Sequence, residues 1–344
     1  MKTVLVTGGA GFIGSNFVHR LRRDHPDWRI LVLDLLTYAG STENFPVQTG
    51  QVANDLFQFW FGDVCNTELV DTLVAQSDLV VHFAAESHVT RSIYDNLAFF
   101  RTDVMGTHAV ANAVLKHRSR IERFVHISTS EVYGTAETPA MSEDHPLKPL
   151  SPYASAKCGA DRLVWSYVAT YDLPAVIIRP FNNYGPRQHL EKVVPRFITS
   201  VLLNEPLTVH GDGGAARDFV FVDDNCGAIA AALSAPLELV KGRVFNVGSG
   251  THRSILEIAR DVIRVMGGKE SQIKFVGDRP GQVFRHTADA RSIQQTLGWK
   301  SEVAWLDGLA RTADWYRTNR GWWEKQVWMR QIPIVLADGK REMH

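Results

Sequence analysis

The chain has 344 residues, 45% apolar and 22% charged, with basic and acidic side chains in equal number. That is ordinary globular material, enough for one large domain and a smaller one, with no electrostatic reason to expect nucleic acid or an anionic membrane as partner. Three scattered cysteines (Cys65, Cys158 and Cys226) suit a reducing compartment, and no apolar run reaches the roughly 18 residues of a membrane span, so neither a span nor a signal peptide is expected and the expected location is cytoplasmic.

Lys2 to Thr7 is a β-branched run followed at once by Gly8-Gly9-Ala10-Gly11-Phe12-Ile13-Gly14. A helical pattern through Phe17, Val18 and Leu21 comes next, and then a second strand, Ile30 to Leu33, that finishes on Asp34. Strand, glycine spacing, helix and an acid twenty residues beyond the last glycine form a dinucleotide-binding pattern, in which bare backbone lets a pyrophosphate approach a helix N-terminus. Asp34 would accept from a ribose 2′-hydroxyl and repel a 2′-phosphate, and Leu35, Leu36 and Thr37 offer no arginine, so NAD is favoured over NADP.

The strand and helix alternation continues. Phe57 to Phe61, Leu79 to Phe83, Val125 to Ile127 and Val176 to Ile178 read as strands, and Leu69 to Val74 and Asp103 to His117 as helices, the latter apolar over a wide arc. Right-handed crossovers between such strands give a parallel sheet. After Pro186 the alternation fades. Helices at Val194–Leu203, Asp224–Leu233, Ser254–Met266 and Trp305–Thr318 are interleaved with short strands at Phe219–Val222 and Val244–Val247. The predicted fold is therefore α/β, a Rossmann-type doubly wound parallel sheet over residues 1–185 with a smaller C-terminal α/β substrate-binding domain over 186–344. That second domain is discontinuous, with segments returning to the first.

Ser128, Thr129, Ser130 and Glu131 fall where a buried strand ends, the edge at which open α/β sheets bind ligands. Tyr153 and Lys157 lie one helical turn apart on one face. A phenol is a poor base at its ordinary pKa of about 10, and a neighbouring ammonium would lower it. The pair suits removal of a hydroxyl proton as the carbon beneath gives up a hydride.

These motifs resemble the extended short-chain dehydrogenase/reductase superfamily, and within it the nucleotide-sugar 4,6-dehydratases. Gly8-x-x-Gly11-x-x-Gly14 and Tyr153-x-x-x-Lys157 are common to the superfamily. Leu33-Asp34-Leu35-Leu36-Thr37-Tyr38-Ala39-Gly40 and Ala85-Glu86-Ser87-His88-Val89 with Arg91-Ser92-Ile93 are more particular to dehydratases of the dTDP-glucose type.

The resemblance implies that Tyr153 is the base at the sugar O4, with Lys157 holding the nicotinamide ribose, Thr129 bonding the C4 oxygen and Glu131 removing the C5 proton. It implies NAD contacts from Gly8, Gly11, Phe12, Ile13, Gly14, Asp34, Thr37, Asp63, Val64, Ala84 and Ala85, besides Tyr153 and Lys157. Ser87, His88, Asn182, Val193, His210, Arg217, Asn246 and Arg285 would bind the nucleotide-diphosphate sugar, His210 against the base. A homodimer through the helices at Asp103–His117 and Ala154–Tyr171 is also implied, and no metal.

One departure bears on the chemistry. Dehydratases of the dTDP-glucose type carry Thr-Asp-Glu where this chain has Thr129-Ser130-Glu131, and their aspartic acid protonates the departing C6 hydroxyl. Ser-Glu at this place also resembles dehydratases of N-acetylated nucleotide sugars and the UDP-glucuronate decarboxylases. A decarboxylase or a 4-epimerase of the same superfamily is therefore the alternative, and a non-enzymatic NAD-binding interaction protein a remote one.

Other conspicuous residues have plain readings. Cys158 reads as a small packed residue, His82 and His126 as bonded core histidines, and Asp223 or Asp224 as an N-cap. Trp322 and Trp323 read as helix-end packing, and Glu86 as an orienting group.

Overall fold

The computed structural model describes residues 1–46, 55–277 and 284–330, with the backbone of 333–335 and 341–343. The charged C-terminal end, to which the sequence assigns no role, lies largely outside the described residues.

Seven strands form one parallel sheet: β1 (Thr3–Thr7), β2 (Arg29–Asp34), β3 (Phe57–Phe61), β4 (Leu79–His82), β5 (Arg123–Ile127), β6 (Ala175–Pro180) and, from far down the chain, Val244–Val247. The last-named strand flanks β6, and the rest run β6-β5-β4-β1-β2-β3. The order reverses between β1 and β4, so their carboxyl ends open the crevice in which such sheets hold ligands. β1, β4, β5 and β6 are buried along their whole length, as strands covered by helices on both faces must be.

The covering helices are α1 (Phe12–Asp24), α2 (Thr67–Val74), α3 (Val89–Tyr94), α4 (Asn96–Phe99), α5 (Thr107–Lys116) and α6 (Pro152–Tyr171). α6 begins with Ser151 capping the Ala154 amide and Pro152 in the first turn, both good helix starters.

The helix expected over Asp103–His117 divides. Residues Phe100–Gly106 wind as a π-helix and only Thr107–Lys116 is α-helical. The wider turn directs Asp103 inward, where its Oδ1 accepts the Glu86 amide at 2.8 Å, and turns of this kind recur at functional sites.

The second half holds β7 (Asn182–Tyr184), α7 (Val193–Leu202), β8 (Leu207–His210), β9 (Ala216–Phe221), α8 (Val222–Ser234), α9 (Leu237–Val240), β10 (the Val244–Val247 strand), β11 (His252–Ser254), α10 (Ile255–Met266), β12 (Ile273–Val276), α11 (Arg291–Leu297) and α12 (Trp305–Thr318). β7, β9 and β11 make a small sheet, and β8 pairs with β12. Tyr184, Phe197, Phe219, Leu309, Tyr316 and Trp323 join one apolar core there. Residues of α8 and β10 instead join the core beneath the large sheet, together with Ile293 of α11.

Asp223 and Asp224 are not N-caps. Both lie inside the first turn of α8, whose N-cap is Phe221. Asp224 instead pins the loop before α12, accepting from Ser301 Oγ and from the Glu302 and Val303 amides. Among the described residues no helix is long and apolar enough to cross a membrane.

Candidate active site

The loop after β1 is shaped by what its glycines lack. Gly8 has φ +71°, and a Cβ there would lie 2.5 Å from the Ala84 nitrogen. A Cβ on Gly14 would lie 2.2 Å from the Gly8 carbonyl oxygen. The helix α1 follows directly with no side-chain cap on its first amides, leaving donors and the positive end of the helix dipole for an anion. Asp34, at the end of β2, accepts the Ala10 amide at 2.9 Å and the Leu36 amide at 2.8 Å, so its carboxylate is tied to the same loop. Burial pushes its pKa up and these two bonds oppose the shift. A cradle that any Cβ would fill, an uncapped helix and a fixed carboxylate fit a dinucleotide with a free 2′-hydroxyl.

The remaining expected cofactor residues surround this loop unequally. Ala84 and Ala85 follow β4. Val64 is buried, and Thr37 is exposed and hydrogen-bonds Glu86. Asp63 is engaged locally, accepting the Cys65 amide and lying 3.5 Å from Arg101.

At the end of β5, Thr129 caps a short 3-10 turn, Ser130–Tyr133, and accepts the Glu131 amide. The Tyr153 phenol hydrogen-bonds Thr129. Lys157, one turn along α6, is buried and donates to the Ile127 carbonyl at 2.7 Å.

The expected lowering of the Tyr153 pKa by Lys157 is not what the structure supports. Burial pushes the phenol up, Asp103 and Glu131 push it further, and the Thr129 bond only partly opposes them. The Lys157 ammonium is itself pulled down by burial, against Asp103 and Asp161, and one of its three N–H groups donates to the Ile127 backbone carbonyl.

Ser130 and Glu131 diverge. Ser130 is buried, its Oγ 3.4 Å from His286 Nδ1, while Glu131 stays partly open with Oε1 3.8 Å from the same nitrogen. His88 caps α3 through Nδ1 and sets Nε2 3.4 Å from Glu191, whose buried carboxylate also accepts the Tyr38 hydroxyl at 3.0 Å. Ser87 offers its carbonyl to Lys192.

Of the expected substrate residues, Asn182 begins β7 half-exposed, and Val193 begins α7 against the second core. His210 ends β8 with Nδ1 3.0 Å from the Gly277 carbonyl oxygen. Arg217 lies in β9, and Arg285 donates to the Thr138 carbonyl at 3.0 Å.

Asn246 does not belong with them. It is fully buried in β10, its Oδ1 accepting the Tyr133 hydroxyl at 2.7 Å and its Nδ2 donating to the Met141 carbonyl at 2.9 Å, so its amide is spent inside the protein. His82 is a bonded core histidine, between Thr7 Oγ1 at 2.6 Å and Thr107 Oγ1 at 3.0 Å, and burial brings its pKa down to about 3. His126 differs from the expectation: it is fully buried and neither ring nitrogen has a hydrogen-bond partner among the described residues. Trp323 packs in the core and Trp322 donates to Asn44.

Sequence reasoning missed Asp103, Asp161, Arg179, Glu191 and His286. Charged residues inside otherwise apolar strand and helix patterns, Arg179 in Val176–Pro180 above all, were the available signal.

Fold and site together define a dinucleotide-dependent enzyme of the extended short-chain dehydrogenase/reductase class. The profile of the family described as GDP-mannose 4,6 dehydratase matches residues 5–312. The chain is 46% identical over 313 residues to the low-salt glycan biosynthesis protein Agl12 of Haloferax volcanii, covering 91% of this chain and 98% of that one. It is 42% identical to a dTDP-glucose 4,6-dehydratase of Streptomyces niveus over 93% of this chain and 94% of the other. The crystal structure of DesIV, a dTDP-glucose 4,6-dehydratase from Streptomyces venezuelae with NAD bound, superposes with a TM-score of 0.88 at 40% identity, over 94% of this chain and 99% of that one. The chain belongs to the GDP-mannose 4,6 dehydratase family.

Proposed function

We infer that this chain is an NAD-dependent nucleotide-sugar 4,6-dehydratase, a hydro-lyase that converts a nucleotide-diphosphate hexose to its 4-keto-6-deoxy form. The observation that carries the reading is the convergence of the Tyr153 phenol, the Thr129 hydroxyl and the Glu131 carboxylate at the carboxyl edge of the same parallel sheet whose first strand ends in a glycine cradle that leaves no room for a Cβ at Gly8 or Gly14. NAD, when bound, supplies the hydride acceptor and returns the same hydride, so no outside oxidant is consumed.

Tyr153 takes the O4 proton while Thr129 orients that oxygen. The new ketone acidifies C5–H, and Glu131, partly open and free of a short ion pair, removes the proton. Water then leaves from C6. Asp34 and the loop at Gly8, Gly11 and Gly14 hold the cofactor, and Lys157 fixes the end of β5 under the sugar. Arg217 and Arg285 are the cations for the diphosphate and Asn182 meets it as well, with Val193 near the nucleotide and His210 near the base. Among nucleotide sugars we propose dTDP-glucose or a closely related hexose, as in the named relatives.

We further propose two domains, 1–185 for the cofactor and 186–344 mainly for the nucleotide sugar, the second returning α8 and β10 to the first. A homodimer in the cytoplasm completes the reading. It is supported by apolar side chains left outward on neighbouring helices, Leu97 at 73%, Met105 at 55% and Trp165 at 46% exposure.

The test is mass spectrometry of purified protein incubated with a panel of nucleotide sugars that includes the glucuronate. Loss of water is expected. Loss of CO₂ would select the decarboxylase that Ser130 also fits, and unchanged mass with inverted C4 the epimerase. Glu131→Gln should leave transient reduced nicotinamide visible and abolish the deoxy product; unchanged product formation removes Glu131 from its role.

A further inference from the structure

Elimination across C5 and C6 needs a proton for the departing oxygen, and position 130, where related dehydratases offer a carboxylic acid, holds a serine. The structure brings a second group there. His286 arrives from a distant segment pinned on both sides: its amide donates to the Ala216 carbonyl, the Ala136 amide donates to the carbonyl of Arg285, and the Met141 amide to that of Thr287.

The imidazole is wholly buried against the turn that carries Ser130 and Glu131, with its Nε2 2.6 Å from the Gly134 carbonyl oxygen at the end of that turn. A carbonyl only accepts, so Nε2 bears the proton and the neutral ring presents the Nδ1 lone pair. That nitrogen is the one 3.4 Å from Ser130 Oγ and 3.8 Å from Glu131 Oε1. Arg217, His145 and the Phe181 ring also face the imidazole; burial and the Arg217 guanidinium favour its neutral form, Glu131 and the Gly134 bond the charged one.

We propose that His286 is the residue through which the proton Glu131 takes from C5 reaches the Ser130 hydroxyl and then the departing C6 oxygen. The proposal rests on the dehydratase reading above. The C5–H bond breaks, its proton goes to Glu131 and its electron pair forms the C5=C6 bond as C6–O breaks. Glu131 passes that proton to the His286 Nδ1 lone pair, and the Nδ1 proton then goes to Ser130 Oγ as the Ser130 hydroxyl gives its own proton to the departing oxygen. One proton has moved from C5 to water, and all three side chains end as they began. Contacts this long tighten in many enzymes only when substrate is bound.

His286→Gln keeps a nitrogen donor for Gly134 and removes the second basic nitrogen. Reduced nicotinamide should appear at the wild-type rate, read by its absorbance, while water loss, read by mass, slows about a hundredfold, the usual scale of acid–base assistance. The double variant S130D/H286Q should recover most of the loss, because a carboxylic acid at 130 needs no relay.

Water loss at the wild-type rate in H286Q overturns the proposal, as does equal slowing of nicotinamide reduction, which would mark a structural role. Failure of Ser130→Asp to rescue overturns it too. If H286Q does not fold, Ser130→Ala reads the same step, and undiminished water loss there is equally fatal. A wild-type protein that removes water from no nucleotide sugar fails at the dehydratase reading itself, a distinct result.

Discussion

The carboxylate of Asp161 on α6 grips the guanidinium of Arg179 on β6 by two bonds, Oδ2 to Nε at 2.8 Å and Oδ1 to Nη2 at 2.9 Å, with both groups buried. Arg179 also donates to the Tyr133 hydroxyl, which donates in turn to Asn246. This chain of bonds ties the helix bearing Tyr153 and Lys157 to the turn bearing Glu131 and to β10.

Breaking it should be expensive, because a lone buried charge remains. Asp161→Ala is expected to cost about 3–5 kcal/mol in urea denaturation. The Arg179 guanidinium holds the Asp161 pKa below the usual carboxylate range despite burial. The pair's contribution is therefore complete above the unfolded value of about 3.9 and lost as pH falls through the lower folded value. Denaturation midpoints measured from neutrality into acid should drop for wild type and stay flatter for Asp161→Asn.

Asp103 carries the opposite sign. Burial pushes its pKa up to about 7, with Lys157 opposing, and its Oδ2 has no hydrogen-bond partner among the described residues. Between the unfolded value near 4 and that folded value the native state binds the extra proton, so stability falls as pH rises. Asp103→Asn should gain stability relative to wild type across that window, measured by thermal unfolding at stepped pH.

Gly14→Ala places a methyl 2.2 Å from the Gly8 carbonyl oxygen and 2.9 Å from Gly9 Cα, backbone that the cofactor loop needs where it is. NAD binding should weaken at least tenfold by calorimetry, about 1.4 kcal/mol. At Gly11 the nearest atom is 3.4 Å away, so the fold of Gly11→Ala should survive by circular dichroism; equal unfolding of both variants would contradict the steric account.

Because the Tyr153 phenol is held above its ordinary range, its basic form grows as pH rises. Single-turnover nicotinamide reduction should accelerate towards alkaline pH. Tyr153→Phe should show no such rise and be slower by about 10²–10⁴.

Local pattern determined a great deal here. The parallel sheet, the NAD preference written in the glycine loop and Asp34, and the placing of Tyr153 and Lys157 on one helix face are legible because each depends on residues within a turn or one crossover of one another. Spacing alone carries such information. The tertiary structure decided what long-range burial decides. It withdrew Asn246 into the core, turned the pKa of Tyr153 upwards through burial and then Asp103, and set His286 beside Ser130 from 156 residues away. Desolvation and charge contacts of that kind depend on which segments meet, and no periodicity in the chain records the meeting.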